Sequence, residues 1–283
     1  MKLCLYSGAG NTFVVLDGRK TLPEFDVVGL CTRYGTDGLM VLRTASDCDF
    51  EMDYYNSDGS GGMMCGNGGR CIVAFADHLG IQPRDGKVYA FRAADGMHTG
   101  EVLEREGEQK TVRLRMIDVT EFHPALDGWF LDTGTRHFVC FRPDVSQIDV
   151  EKDGARLRHD SRFAPQGANV NFVSPQNDLT IAVRTFEKGV ESETLACGTG
   201  ITASAIASYA QGIEPTQRLA DGVVSYSVQA RRDRLSVRFR PSVHLAETAG
   251  DDSRPTLTGL RNGPVASEVY LTGPATFIGT EEL

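Results

Sequence analysis

The chain has 283 residues, with 29 Lys and Arg against 38 Asp and Glu, so its formal net charge is −9. This acidic balance argues against a nucleic-acid or anionic-membrane partner, because either one requires clustered cations on the protein surface. With 41% hydrophobic and 24% charged residues, the composition is that of a globular protein rather than a disordered one.

The length is close to the limit for one hydrophobic core and favours two domains or one large sheet-rich unit. No run of about 18 apolar residues occurs, and the first residues reach Gly8 too soon for a secretory signal, so we expect a cytoplasmic protein with no membrane partner. The seven cysteines form no CxxC pair and no zinc-binding spacing. We therefore expect thiols and no metal site.

Glycines separate short β-branched or aromatic runs, which predict strands, from a few longer segments, which predict helices. In chain order these are a strand at 13–16, helices at 23–34 and 68–79, strands at 87–91, 111–116 and 138–141, helices at 148–158 and 199–211, and a strand at 234–239. Residues 249–262 combine Gly, Asp, Ser and Pro without periodicity and predict an irregular segment.

Two of the predicted helices begin alike, with the sequences Cys65-Gly-Asn-Gly68 and Cys197-Gly-Thr-Gly200, whose cysteines lie 132 residues apart. A repeat at nearly half the chain length indicates a duplicated architecture. We predict an α/β (α+β) fold of two pseudo-symmetric halves, each a mostly antiparallel sheet or barrel around a central helix. Residues 1–118 would form the first half and 119–267 the second, with the active site in the cleft between them.

A cysteine just before a helix faces the unpaired N–H groups and positive dipole end of that helix, which favour a thiolate and also bind anions. Between two such helix starts, a substrate carboxylate would receive hydrogen bonds from Gly66, Asn67, Gly198 and Thr199. One cysteine thiolate could then remove the α-proton while the other thiol returns a proton from the opposite face. The pattern predicts inversion of a stereocentre without a cofactor.

Other short motifs accompany the two Cys-Gly-x-Gly segments, at 8–13, 35–39, 56–60, 134–137, 167–172, 187–189 and 271–275. Together they resemble the diaminopimelate epimerases over nearly the whole chain. The resemblance implies a cofactor-independent enzyme that interconverts LL- and meso-diaminopimelate for lysine and peptidoglycan precursor synthesis. It also implies a C-terminal strand, 268–283, that returns to the first half, and a possible homodimer.

The resemblance assigns roles to particular residues. It makes Cys65 and Cys197 the two acid/base groups, with His137 and Glu187 supporting their protonation states. The reacting carboxylate would be held by Gly66, Asn67, Gly198 and Thr199, and the distal end of the substrate by Asn11, Asn56, Asn169, Glu187 and Lys188.

Two of these motifs depart from the family pattern. Thr135 stands where the family has Asn, and Lys188 replaces an Arg, which loses a planar bidentate fork. Three alternatives stay open: an epimerase or racemase for another amino or imino acid, a non-catalytic amino-acid-binding protein, and a redox protein using a Cys65–Cys197 disulfide. By local propensity alone, Asn11 could instead be a turn residue with positive φ, and Asn56 a loop residue.

Overall fold

The computed structural model describes residues 2–62, 65–242 and 263–282. The predicted irregular segment at 249–262 lies outside these ranges. The chain divides into two compact units, one formed by Met1–Arg115 with Thr272–Leu283 and the other by Met116–Leu271.

The four predicted helices are confirmed, with each end shifted by at most four residues. They are α1 (Val27–Tyr34), α2 (Gly66–His78), α3 (Val150–Arg158) and α4 (Gly198–Ala210). No helix in the described ranges is both long and apolar enough to cross a membrane.

The predicted strands are also present, among others that the sequence did not single out. The strands are β1 (Lys2–Gly8), β2 (Asn11–Asp17), β3 (Gly38–Arg43), β4 (Phe50–Asn56), β5 (Tyr89–Ala93), β6 (Gly96–Glu106), β7 (Gln109–Arg115), β8 (Phe122–Ala125), β9 (Gly128–Asp132), β10 (Arg136–Phe141), β11 (Asn169–Pro175), β12 (Thr180–Glu187), β13 (Ser192–Thr194), β14 (Gln217–Arg218), β15 (Val224–Gln229), β16 (Arg234–Pro241) and β17 (Ala266–Glu282).

The first unit is a closed barrel around α2. Strands β1 to β7 pair in chain order, and the second part of β17 pairs with both β7 and β1, which completes a ring of eight strands. Only the β2–β3 and β4–β5 pairs are parallel. The helix contacts β1, β2, β3, β6 and β7, and its residues from Gly66 to Ala76 are buried.

The second unit is a sheet in the order β8, β9, β10, β11, β12, β15, β16, with β13 beside β12 and β14 beside β15. Helix α4 contacts β9, β10, β11, β12, β15 and β16. Because α4 consists almost entirely of small and apolar residues, it can be buried on all sides. Thr199 is its only residue that is not classed as buried.

The two units repeat one topology. Strands β1 to β6 pair in the order antiparallel, parallel, antiparallel, parallel, antiparallel, and so do β9, β10, β11, β12, β15 and β16. Helices α1 and α3 make the first parallel connection, and α2 and α4 make the second. The predicted duplication, with a mostly antiparallel sheet or barrel around each central helix, is confirmed. It makes Cys65 and Cys197 topologically equivalent.

Candidate active site

Cys65 is the N-cap residue of α2. Its backbone is extended, with φ −103° and ψ 151°, and its Sγ accepts a hydrogen bond of 3.2 Å from the Gly68 N–H. The sulfur therefore lies at the positive end of the helix. A Cβ atom at Gly68 would lie 3.3 Å from this sulfur and 3.3 Å from the sulfur of Met40. The glycine thus allows the helix start to approach the thiol closely.

Cys197 is the N-cap residue of α4 and is buried. Its Sγ lies 3.4 Å from the Thr199 hydroxyl. A Cβ atom at Gly200 would overlap the side-chain oxygen of Asn171 and lie 3.3 Å from the ring of His137. The second glycine of the motif therefore lets these two polar side chains reach the start of the helix.

At the start of α2, Asn67 is held from two sides. Its amide nitrogen donates to the Asn11 side-chain oxygen at 2.6 Å, and its oxygen accepts from Arg70 at 3.0 Å. The Arg70 side chain is fully buried and also donates to the Gly66 carbonyl at 3.0 Å. Two predicted site residues, Asn11 and Asn67, are thus in direct contact.

Asn11 is the first residue of β2. The positive φ angles of the preceding hairpin turn belong to Ala9, at 56°, and Gly10, at 99°. Asp37 fixes the start of the strand, because its carboxylate accepts from the Thr12 N–H at 2.7 Å. The alternative interpretation of Asn11 as a positive-φ turn residue is therefore wrong.

Asn56 ends β4 and opens the turn that follows. Its side-chain nitrogen donates to the Ser60 hydroxyl at 2.9 Å, and its backbone N–H donates to the Ser60 carbonyl at 2.9 Å. Asn56 is half-buried. Asn56 therefore lies at the start of a loop, as its local propensity predicts, and its side chain is also held in a defined position.

Asn169 is buried at the start of β11. Its side-chain oxygen accepts from the Lys188 N–H at 2.8 Å, and its nitrogen donates to the Arg136 carbonyl at 3.1 Å and to the Thr135 hydroxyl at 3.3 Å. Lys188 is exposed and contacts Asn169 through its backbone. Glu187, the last residue of β12, is half-buried.

His137 is fully buried on β10. Its Nδ1 lies 2.9 Å from the Asn171 side-chain nitrogen, and its Nε2 lies 2.9 Å from the Thr135 hydroxyl and 3.0 Å from that of Thr199. Thr185 donates to the Asn171 side-chain oxygen at 2.9 Å. Burial lowers the pKa of His137 to about 3, so its ring is neutral near pH 7.

Sequence reasoning assigned no role to three of these residues, Arg70, Asn171 and Thr185. A signal for two of them was present. Asn171 follows Asn169 with the period of a strand, which predicts that both side chains point to one face. Arg70 follows Asn67 by three residues in a helix, a spacing that brings side chains together. Thr185 carried no such signal.

In the described ranges, no group of three or more His, Cys, Asp or Glu side chains is arranged to hold a metal ion. The hydrogen-bonding groups around Cys65 and Cys197 are amides, hydroxyls, one buried guanidinium and one neutral imidazole. Such groups suit the recognition of a small zwitterion, because amides and hydroxyls both donate and accept.

Comparison with known proteins identifies the family. The sequence model described as "Diaminopimelate epimerase" matches residues 3–113 and 129–235. The diaminopimelate epimerase of Chlorobaculum tepidum is 43% identical over 217 residues, which are 73% of this chain and 82% of the relative. That of Flavobacterium psychrophilum is 34% identical over 285 residues, with 98% of each chain covered.

Solved structures share the fold at low sequence identity. A phenazine biosynthesis protein of the PhzF family from Bacillus anthracis has a TM-score of 0.71 at 13% identity, covering 100% of this chain and 98% of that one. A probable proline racemase from Agrobacterium radiobacter K84 has a TM-score of 0.64 at 17% identity, covering 100% and 92%. The fold likeness and the close sequence relatives agree with the resemblance seen in the motifs, and the chain belongs to the diaminopimelate epimerase family.

Proposed function

We propose that this protein interconverts LL- and meso-diaminopimelate by a two-thiol mechanism that needs no cofactor. The observation that carries the proposal is the equivalence of Cys65 and Cys197, each the N-cap of the central helix of its unit. A two-base inversion needs one thiol for each face of a stereocentre, and each unit has one thiol at an equivalent helix start. Family membership identifies the stereocentre as an α-carbon of diaminopimelate.

The reaction requires the two thiols to face opposite sides of one α-carbon. The thiolate of one cysteine takes the α-proton, and the C–H electron pair moves into the carboxylate, which becomes an enediolate-like anion. The N–H groups of Gly66, Asn67, Gly198 and Thr199 stabilise the added negative charge. The other thiol then gives its proton to the opposite face of the carbon. The first cysteine ends as a thiol and the second as a thiolate, so the reverse reaction can follow.

The distal end of the substrate is bound by Asn11, Asn56, Asn169, Glu187 and Lys188. We assign Lys188 a contribution through its backbone N–H, which orients the Asn169 amide at 2.8 Å. This explains how Lys can stand in place of the family's Arg. We further propose that the enzyme works in the cytoplasm, where its two thiols stay reduced, and that it forms a homodimer.

A second candidate keeps the chemistry and changes the substrate to another amino or imino acid. It is favoured by one departure from the family pattern, Thr135. Thr135 presents a hydroxyl that is already engaged by His137 and Asn169, so it offers a substrate less than an amide would.

Exchange in heavy water tests both candidates. The protein is incubated with LL-diaminopimelate, proline, hydroxyproline and glutamate in parallel, and deuterium entry at the α-carbon is measured together with stereochemical inversion. We expect diaminopimelate to exchange far faster than the others. Faster exchange of another substrate would favour the second candidate, and binding of diaminopimelate without exchange would support the non-catalytic alternative.

Cysteine variants test the mechanism. Cys65→Ala and Cys197→Ala should each abolish inversion, whereas Cys71→Ala should retain it. Cys71 is a matched control because it lies on the same helix as Cys65, fully buried, and burial raises the pKa of its thiol to about 12. Full activity after removal of either proposed thiol would exclude the two-base scheme. A difference in thiol titre with and without substrate would reveal the disulfide alternative.

A further inference from the structure

The repeated topology allows the surroundings of the two cysteines to be compared position by position. In the first unit, Phe13 pairs with Gly38, and Met40 pairs with Tyr54. In the second, His137 pairs with Asn169, and Asn171 pairs with Thr185. The strand registers therefore match three positions of each unit: Phe13 with His137, Met40 with Asn171, and Tyr54 with Thr185.

These three positions differ in chemistry. Met40 and Tyr54 both lie within 4 Å of the Cβ position of Gly68, and the Tyr54 ring packs edge-on against Phe13 at 6.3 Å. At the equivalent Gly200, the neighbours are Asn171 and His137. Behind the cysteine of the first unit lie the Phe13 ring, the Met40 thioether and the Tyr54 phenol. Behind the cysteine of the second unit lie three polar side chains that are hydrogen-bonded in series, those of His137, Asn171 and Thr185.

In the second unit, the orientation of the Asn171 amide defines the direction of the hydrogen bonds. Its side-chain nitrogen lies 3.4 Å from the Phe138 carbonyl, which can only accept, so the NH₂ group is on this side. The same NH₂ group donates to His137 Nδ1, and the side-chain oxygen accepts from Thr185. A neutral imidazole has one protonated nitrogen. The His137 proton is therefore on Nε2.

The orientation of the Asn169 amide is also defined by its neighbours. Its oxygen accepts from the Lys188 N–H, so its nitrogen is the group that donates to the Thr135 hydroxyl. The Thr135 oxygen also faces the protonated Nε2 of His137 at 2.9 Å. The proton of the Thr135 hydroxyl then has the Thr199 hydroxyl, at 3.2 Å, as its acceptor.

The Thr199 hydroxyl connects this series to Cys197. Its hydroxyl oxygen accepts from Thr135 and faces the Nε2–H of His137 at 3.0 Å. Its own proton therefore points to the remaining neighbour, the Cys197 sulfur, at 3.4 Å. A hydrogen bond donated to sulfur stabilises the thiolate relative to the thiol.

We propose that Asn171 and Thr185 are positioning residues that hold His137 as its neutral Nε2–H tautomer and so make the Thr199 hydroxyl a donor to Cys197. In this arrangement, His137 donates a hydrogen bond and does not carry protons during the reaction. The inference rests on the proposed role of Cys197. It also means that the two equivalent thiols are supported by different chemistry, because the Tyr54 phenol hydrogen-bonds to the Cys65 side chain directly, without a series of polar side chains such as His137, Asn171 and Thr185 form in the second unit.

The tautomer can be measured without any activity assay. The protein is labelled with ¹⁵N in its histidine rings, and the His137 signals are assigned by their loss in His137→Gln. We expect a protonated Nε2 and an unprotonated Nδ1 that do not titrate between pH 5 and 9. Asn171→Leu should lose the fixed tautomer, and Thr185→Val should weaken it, while Thr185→Ser should keep it. A protonated Nδ1 in the unaltered protein would overturn the proposal.

The effect on Cys197 is measured by alkylation as a function of pH, in a Cys65→Ala background. Asn171→Leu and Thr185→Val should move the reactivity of Cys197 to higher pH, and in the full enzyme they should lower kcat on the order of tenfold with little change in KM. Ser208→Ala is the control, because Ser208 is a buried hydroxyl of α4 with no hydrogen-bond partner among the described residues. An alkylation profile that neither variant moves would overturn the link to Cys197. The tautomer and alkylation measurements use no substrate, so they would test this proposal even if diaminopimelate were not the substrate.

Discussion

The amide of Asn67 donates to the side-chain oxygen of Asn11 at 2.6 Å. The equivalent contact in the second unit joins the hydroxyls of Thr199 and Thr135 at 3.2 Å. In both units, the third residue of the Cys-Gly-x-Gly motif is therefore tied to the start of the hairpin's second strand. The residue that would bind the reacting carboxylate through its N–H is thus oriented by its side chain.

Arg70 is the residue that holds Asn67 from the interior of the barrel. Arg70→Met would remove its donors to Asn67, to Gly66 and to the Pro274 carbonyl at 3.2 Å. Because three hydrogen bonds of a fully buried guanidinium are lost, we expect the free energy of unfolding to fall by roughly 2–4 kcal/mol. Urea denaturation followed by circular dichroism measures the change.

The control for Arg70 is Arg234→Met. Arg234 lies 3.5 Å from Asp178, and both side chains are 57% exposed, so this variant should cost less than about 1 kcal/mol. Equal losses in the two variants would mean that Arg70 makes no special contribution.

Gly200 should tolerate a methyl group poorly. Gly200→Ala places a Cβ atom against the Asn171 side-chain oxygen and close to His137, so the polar series behind Cys197 must shift. We expect kcat to fall on the order of a hundredfold, since displacements of about 1 Å in an active site have effects of that size. Gly279→Ala is the control, because no atom lies within 4 Å of its Cβ position. Comparable activities of the two variants would contradict the expectation that a Cβ atom at position 200 displaces Asn171 and His137.

The sequence predicted the architecture because its signals were local or repeated. Glycine spacing and apolar runs fixed the helices, and the two Cys-Gly-x-Gly segments predicted the duplication that the strand pairing confirms. The residues behind the thiols were harder to find. Thr185 lies on another strand, and only the register that pairs it with Asn171 shows that they meet. Arg70 was assigned no role from the sequence, and its position inside the barrel follows only from the closed ring of strands around α2.

A variant of Lys188 can separate the contribution of its backbone to substrate binding from that of its side chain. Its N–H holds Asn169, and its side chain is exposed. Lys188→Ala keeps the N–H, so we expect KM for diaminopimelate to change by less than about threefold, within the range of one weak surface contact. Asn169→Ala should raise KM on the order of tenfold, because one buried hydrogen-bonding group is lost. A tenfold or larger rise in Lys188→Ala would instead place the ammonium group on the substrate.

His137 should make stability depend on pH in a definite direction. Burial lowers its pKa to about 3 in the folded protein, against about 6.5 for an unfolded histidine. Between these values the unfolded chain binds a proton that the folded protein does not, so this residue favours unfolding increasingly as the pH falls from 6.5 towards 3. From pH 7 to pH 5, its contribution should reduce the free energy of unfolding by roughly 2 kcal/mol. His137→Gln removes the titrating group, so the difference between its unfolding free energies at pH 7 and pH 5 should be smaller by that amount. Denaturation of both proteins at the two pH values measures it, and equal pH dependence would show that folding leaves the pKa of His137 unchanged.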